Sequence, residues 1–407
     1  MTCRFCDSIL EHTMCDLRSS PLANAYLGAD DLDRGETYYP LRVLVCSRCY
    51  LAQLAEYAAP SEIFADYAYF SSYSTSWLEH CRAYAQQMIR QLELGPQTLV
   101  VELASNDGYL LQYFQQAGAE VLGIEPAQNV ASEAQRHGIP TIAKFFGSAL
   151  ANELLGSHRQ PDLLVANNVL AHVPDINDFV EGISLLLPDT GLATFEFPHL
   201  LRLLEERQFD TIYHEHFSYL SLTTTATIFA AHGLRVVDVE EIPTHGGSLR
   251  IHAAKEGTAR QAAPRVTELL EREHAAGLMD LATYERFAEV VRDEKRRTLR
   301  FLFDRLDEGV RIAGYGAPAK GNTLLNYCGV GTDIVPFTVD LSPHKQGLYL
   351  PGSRIPILAP DALDEHHPDL VLILPWNLRE EILDQLWRVR EWGGQFAART
   401  PDLRILP

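Results

Sequence analysis

The 407-residue chain predicts an α/β protein in three parts: a small cysteine-rich module, a parallel doubly wound sheet, and a second α/β lobe. Three observations carry this. Two Cys-x-x-Cys pairs fall within the first 49 residues, a strand–helix rhythm starts near residue 98, and the rhythm returns after residue 310. Short apolar runs alternating with helical stretches are the signature of a parallel sheet with helices on its faces. At about 150 residues per domain, the length allows two or three domains. Hydrophobic residues at 46% and charged residues at 22% match a folded globular chain rather than a disordered one.

Residues 1–72 read as the loop-rich cysteine module, with turn-prone Ser19-Ser20-Pro21 and Asp33-Arg34-Gly35. Residues 73–257 read as the central unit. It opens with a helix whose apolar positions (Trp77, Leu78, Cys81, Tyr84, Ala85, Met88) step by three and four until Gly95-Pro96 ends it. Strands are expected over 98–103, 120–124, 162–166 and 191–195, with helices over 109–117 and 130–137 between them. Residues 258–407 read as a charged helical stretch to 308, then strands over 310–313, 334–339 and 370–374 around the glycine loop Gly314–Gly321.

Charge narrows the function. With 34 basic and 54 acidic residues, the net charge is −20, which argues against nucleic acid as a partner, since phosphate binding needs clustered Lys and Arg. No apolar run approaches the ~20 residues of a bilayer-spanning helix, and the N-terminus lacks the apolar core of a signal peptide. A cytoplasmic protein with no membrane partner is expected. Oligomeric state is not readable.

Seven cysteines, an odd number, argue against a disulfide framework. Cys3-x-x-Cys6 and Cys46-x-x-Cys49 instead form two knuckles that complete a tetrahedral S4 zinc site. Four protein ligands leave no open position, so the zinc is structural. Four unligated thiols are the bland alternative, and Cys15 is a spare thiol or else an alternative ligand. The gap between the pairs exceeds that of compact zinc ribbons, so a loop must leave and return.

The first strand runs into Glu102-Leu-Ala-Ser-Asn-Asp-Gly108. This loop resembles the E/D-x-G-x-x-x-G turn with which class I methyltransferases wrap S-adenosylmethionine. Glu102 and Gly108 match, and Ala104 replaces the first glycine, which is compatible if its φ is negative. Ser105 and Asn106 lie within the loop. Glu125, which closes the second strand before Pro126, stands where an acid binds a ribose diol; an ordinary strand-end glutamate is the alternative. Asn167 and Asn168 follow the next buried run, at a strand end that borders a doubly wound cleft. A helix cap is the competing reading of Asn167.

Proton-transfer groups concentrate in Tyr213-His-Glu-His216, with Tyr219 close behind. Histidine exchanges protons near neutrality, and a nearby carboxylate can orient an imidazole. His-Glu-His lacks the helical spacing of a zinc-protease pair. His245-Gly-Gly-Ser248-Leu-Arg250 offers backbone N–H groups and a guanidinium for an anion, or else a plain glycine turn before a strand.

Taken together, these motifs resemble the sugar C-methyltransferases of deoxysugar biosynthesis. The resemblance runs almost end to end: both cysteine pairs, Asp66-Tyr-Ala-Tyr-Phe-Ser-Ser72, the 101–108 loop, Asn168 with His172, Tyr213–His216, His245–Arg250 and Gly314–Gly321. It implies a zinc domain, a class I methyltransferase core with a Rossmann-like sheet, and a C-terminal second Rossmann-like domain. It also implies C-methylation of a nucleotide-diphosphate-linked 4-keto sugar, at C-3 or alternatively C-5. A base forms an enolate beside the keto group, and the enolate takes the methyl of S-adenosylmethionine. His216 is then the base, Glu215 positions or polarises, and Tyr213 and His172 donate to the keto oxygen. Tyr67 or Tyr69 lines the site, taken as Tyr67 in the chemistry and Tyr69 at the cofactor. Asn168, His245, Ser248, Arg250 and Lys320 are assigned to the substrate, with thymidine diphosphate as the family's nucleotide.

Two rivals remain. Gly314-x-Gly-x-x-Ala319, with Asp340 after the next strand, is a dinucleotide fingerprint and points to an NAD-dependent oxidoreductase. A zinc-anchored scaffold predicts no cofactor at all. The net charge sets a further condition: it repels a diphosphate, so local groups such as Arg250 and Lys320 must hold the anion.

Overall fold

The structure is a computed structural model that describes residues 1–57, 72, 75–399 and 401–407. Tyr67 and Tyr69, and all of the 66–72 motif except Ser72, lie outside the described residues.

In the N-terminal module, β1 (His12–Ser20), β2 (Tyr39–Val45) and β3 (Ala52–Leu54) pair antiparallel. Its fourth strand is borrowed: β9 (Ser218–Tyr219) adds to the edge of β3. The residues directly after the Tyr213–His216 cluster are thus stitched into the cysteine module. Between β1 and β2, residues 21–38 leave the module as a long strap.

The central unit opens with the helix Thr75–Leu92, which buries Cys81, Tyr84, Ala85 and Met88. These positions recur at three- and four-residue steps, so they share one face. The seven-stranded sheet is ordered β10-β11-β8-β7-β4-β5-β6. Its parallel strands are β4 (Leu99–Leu103), β5 (Glu120–Ile124), β6 (Thr141–Ile142), β7 (Leu163–Asn167) and β8 (Leu192–Pro198). β10 (Leu234–Ile242) and β11 (Ser248–Lys255) complete the sheet antiparallel. The order reverses at β4, whose neighbours are β5 on one side and β7 on the other. That reversal opens a crevice at the carboxyl ends of the strands, where ligands bind in such sheets.

Helices Pro264–Ala275 and Leu281–Asp307 lead to the C-terminal lobe. β1 packs on the longer one: Met14, Cys15 and Leu17 share a core with Tyr284, Phe287 and Val291. Cys15 is therefore a core residue, and burial pushes its thiol pKa up. The lobe's sheet is ordered β14-β13-β12-β15-β16-β17. β12 (Ile312–Tyr315), β13 (Thr338–Val339), β14 (Ile357–Leu358), β15 (Leu370–Ile373) and β16 (Gln395–Arg399) are parallel, and β17 (Leu403–Leu406) is antiparallel. The order reverses again, at β12, as in a Rossmann-like sheet. The strand expected over 334–339 shrinks to two residues: Pro336 has no N–H for a ladder, and Ile334 and Val335 are buried in a turn instead. Among the described residues, no helix is long and apolar enough to cross a membrane.

Candidate functional site

The four cysteines of the two knuckles converge, with all four sulfurs within 4.8 Å of one another. Cys3–Cys49 and Cys6–Cys46 are 3.5 Å apart and Cys6–Cys49 3.7 Å. A tetrahedral zinc with bonds of about 2.3 Å sets its sulfurs about 3.8 Å apart, so the cage fits that ion. The two turns match: Asp7 and Tyr50, each four residues after the first cysteine of its pair, both stand at φ 59°. Gln53 braces the cage by donating to Cys3 Sγ at 3.2 Å while accepting the Arg4 N–H at 2.9 Å.

The loop after β4 lies over β5 so closely that a Cβ on Gly123 would come within 2.4 Å of Ser105 Oγ. Ala104 and Asn106 take left-handed φ values of 51° and 49°, and Gly108 follows at 83°. The condition of a negative φ under which alanine suits this position is therefore not met. The turn needs a left-handed residue there, and alanine adopts it at a cost of about 1–2 kcal/mol. Glu125 closes the loop, accepting the Asn106 and Ala127 N–H groups at 3.0 and 2.8 Å. A carboxylate has about four acceptor sites, so two remain for a diol. Pro126 is half-buried beside it. Glu102 is fully buried, and among the described residues only the Tyr109 hydroxyl offers it a side-chain interaction. Asp107, not singled out from the sequence, is also buried and accepts the Ser72 N–H. Among the described residues no Lys or Arg pairs with these three acids, and burial raises the pKa of each. Such a pocket fits a cofactor that brings its own positive charge, as the sulfonium and ammonium of S-adenosylmethionine do. Asn167 ends β7 with its Oδ1 buried and without a partner among the described residues, and it does not cap a helix.

The Tyr213–His216 turn sits where all three parts meet. The His216 Nδ1 lies 2.9 Å from the Thr211 carbonyl. A carbonyl only accepts, so Nδ1 carries the proton and the neutral ring keeps a bare Nε2. Burial, with His172, His245 and Lys320 nearby, pushes the His216 pKa well below its ordinary value. The Tyr213 ring lies 4.0 Å from His216 and that of His172 4.7 Å. Glu215 does not orient His216, as a carboxylate neighbour was expected to; the Thr211 carbonyl does. Glu215 instead accepts from Asn24 Nδ2 at 2.6 Å, and burial raises its pKa to about 7. His214 points away to the Pro40 carbonyl, 3.2 Å off.

The remaining assignments separate. Asn168 sits at φ 54° at the end of β7, beside the cleft. His245 lies between Trp77, 5.6 Å away, and the charges of Lys320 and His172. Lys320 reaches in from the C-terminal lobe, 4.4 Å over Trp376 and 2.7 Å from Asn377 Oδ1. Ser248 is used within its own turn, donating to the Thr244 carbonyl at 2.9 Å. Arg250 is 4% exposed and ion-paired to Glu196 at 3.1 Å and Glu240 at 3.7 Å. Its charge is balanced inside the sheet rather than offered to an anion, which leaves Lys320 as the phosphate candidate. Glu196 itself accepts from His80, Arg250 and Thr244. Nothing in the sequence signals this hub, because its partners come from two segments far from Glu196, at His80 and at Thr244–Arg250.

The C-terminal lobe seals the site. Trp376 donates to Asp210 at 2.6 Å, Arg399 pairs with the same carboxylate, and a Cβ on Gly246 would strike the Trp376 ring at 2.4 Å. In the Gly314–Ala319 loop, Asp340 accepts the Ala317 N–H at 2.7 Å and Gly316 packs against Pro375.

Comparison with known proteins matches residues 3–64 to the family model of a zinc binding domain, 76–239 to that of a methyltransferase domain, and 243–401 to that of a C-methyltransferase C-terminal domain. The C-methyltransferase NovU of Streptomyces niveus is 40% identical over 407 residues, covering 99% of this chain and 96% of its own. A ubiquinone biosynthesis O-methyltransferase of Bordetella avium is 31% identical over 98 residues, 24% of this chain and 41% of its own. The magnesium protoporphyrin IX methyltransferase of Synechocystis, solved with bound SAH, is 15% identical, with a TM-score of 0.36 over 48% of this chain and 92% of its own.

Proposed function

The chain belongs to the C-methyltransferase family, and from that premise we propose that it methylates C-3 of a nucleotide-diphosphate-linked 4-keto deoxysugar. As a methyltransferase it is not the NAD-dependent oxidoreductase that the Gly314–Ala319 fingerprint suggested. The observation that carries the substrate reading is His216: a buried, neutral imidazole anchored through Nδ1, which leaves its Nε2 unprotonated. A base of this kind suits removal of a proton from carbon, which a neighbouring keto group makes acidic.

The chain's own residues have distinct tasks. His216 Nε2 takes the proton from the carbon beside the keto group. Tyr213, which flanks it, donates to the oxygen on which negative charge develops; His172 flanks it on the other side, with its one N–H given to the Glu215 backbone. Glu215, titrating near neutrality, polarises the same oxygen in its protonated form. Glu125 and the Ala104–Gly108 loop hold the S-adenosylmethionine, with Glu102 and Asp107 balancing its positive charge. When bound, that cofactor supplies an electrophilic methyl group. Lys320 meets the diphosphate, and the S4 zinc holds the module that carries β3 against β9.

The test is incubation with S-adenosylmethionine and a panel of nucleotide-linked 4-keto-6-deoxyhexoses, followed by mass spectrometry. One added methyl on a sugar carbon is expected. Methylation of none of the panel, by protein that binds the cofactor, refutes the substrate class; methyl at C-5 reassigns the carbon.

A further inference from the structure

The strap between β1 and β2 explains why the cysteine pairs stand so far apart. It leaves the zinc module and runs along the C-terminal lobe. Leu27 pairs with Tyr349 through N–H···O bonds of 3.0 and 2.9 Å. The Gly352 N–H reaches Glu36 at 2.8 Å, and Asn322 donates to the Ala23 carbonyl at 2.6 Å. At its innermost point the strap places Asn24 on the Glu215 carboxyl, 2.6 Å from Oε1. We infer that Asn24 is a positioning residue, which fixes the oxygen of Glu215 that bears the proton and so ties the zinc module to proton chemistry in the cleft. The inference rests on the role proposed above for Glu215.

The amide orientation shown serves Glu215 both when it is ionised and when it is protonated on Oε2. Asn24 Oδ1 lies 3.3 Å from the Tyr26 hydroxyl, whose proton is shared with the Ala317 carbonyl at 2.5 Å. A flipped amide would set its oxygen against Oε1, which suits Glu215 only when the proton sits on that oxygen, and would give its NH2 group to the Tyr26 hydroxyl, which can accept it. With Nδ2–H donating to Oε1, the carboxyl proton resides on Oε2, the oxygen left to meet a substrate. The groups facing Glu215 are Tyr26 on the strap, His172, which hydrogen-bonds the Glu215 backbone, and His216 next in the chain. Asp340 and Lys345 stand beyond Tyr26, and Lys320 acts on His216 and His245. The Asn24 bond favours the ionised carboxylate, so it opposes the upward pull of burial. Without it, Glu215 should lose its protonated form at a higher pH.

The experiment compares kcat against pH for wild type, N24A, N24S and E215Q, with zinc content and Tm read on the same samples. N24A should lose at least tenfold in kcat at pH 7 and move the alkaline limb to higher pH, with zinc intact and N24S in between. Should N24A lose zinc or Tm, N24S is read by the same criterion. Asparagine-24 variants that keep the wild-type limb overturn the inference, whether or not kcat falls. If the limb vanishes in E215Q but is unmoved in them, only Asn24 is misassigned. If the limb persists in E215Q, Glu215 is not the titrating group and the underlying reading fails with the inference.

Discussion

Replacing His216 with asparagine isolates the proposed base. Asparagine is smaller, but its amide can still donate to the Thr211 carbonyl that accepts from His216 Nδ1 at 2.9 Å, so the turn is kept. What vanishes is the bare Nε2. A positioned general base contributes roughly 10²–10⁴-fold, or about 2.7–5.5 kcal/mol of barrier, and H216N should lose kcat by that factor. The cofactor loop takes no hydrogen bond from His216, so the affinity for S-adenosylmethionine should stay within about twofold, the spread of ordinary surface substitutions. The wild-type pH profile gives a second reading. Burial and three cationic or titratable neighbours, His172, His245 and Lys320, hold the His216 pKa well below 6.5. The acid limb of kcat/KM therefore belongs below that pH, and H216N should lack it. The assay is the initial rate of methyl transfer by mass spectrometry, with cofactor binding measured by calorimetry. A loss under tenfold, or equal losses of rate and cofactor affinity, would rule out His216 as the base.

Four more outcomes follow from the geometry. E196Q should cost about 3 kcal/mol in urea unfolding, the low end for breaking a buried pair, because it leaves the 4%-exposed Arg250 with Glu240 alone at 3.7 Å; a loss under 1 kcal/mol contradicts the hub. A104G should stabilise by up to about 1 kcal/mol, since relief of left-handed strain outweighs the entropy cost of glycine; a lower urea midpoint would mean that Ala104 at φ 51° is unstrained. Removing the metal with a chelator should expose the thiols of Cys3, Cys6, Cys46 and Cys49 and abolish activity, because β9 and the strap lose their base; full activity without metal contradicts a structural zinc. His172 and His245, each near pKa 4 when folded against about 6.5 unfolded, contribute stability that is full above pH 6.5 and lost as pH falls through about 4; a Tm that is flat from pH 7 to 4 contradicts their burial as neutral rings.

What was legible in the sequence was local. The runs that became β4, β5, β7 and β15 are continuous apolar segments, and burial on both faces leaves them no other reading. The cysteine pairs were legible because each ligand turn is complete within four residues. Pairing across the chain was not. β9 has two residues and exists only because β3 offers an edge. Arg250 read as an anion ligand because Glu196 and His80 are far away in sequence, and Glu240, though near, meets it only across the β10–β11 pair. The Tyr213–His216 cluster showed its chemistry but not its wiring: Glu215 adjoins His216 in the chain, yet turns to Asn24 on another module. The long gap between the cysteine pairs was visible as an oddity, and only the strap against the C-terminal lobe gives it a purpose.

His216 is assigned the removal of a proton from a carbon beside a keto group. Deuterium exchange in heavy water tests it without methyl transfer, with S-adenosylhomocysteine present and a nucleotide-linked 4-keto-6-deoxyhexose as the probe. Wild type should place one deuterium at C-3, and H216N should place none over the same time. Equal exchange by the two proteins, or no exchange by wild type under conditions where it methylates the sugar, would contradict it.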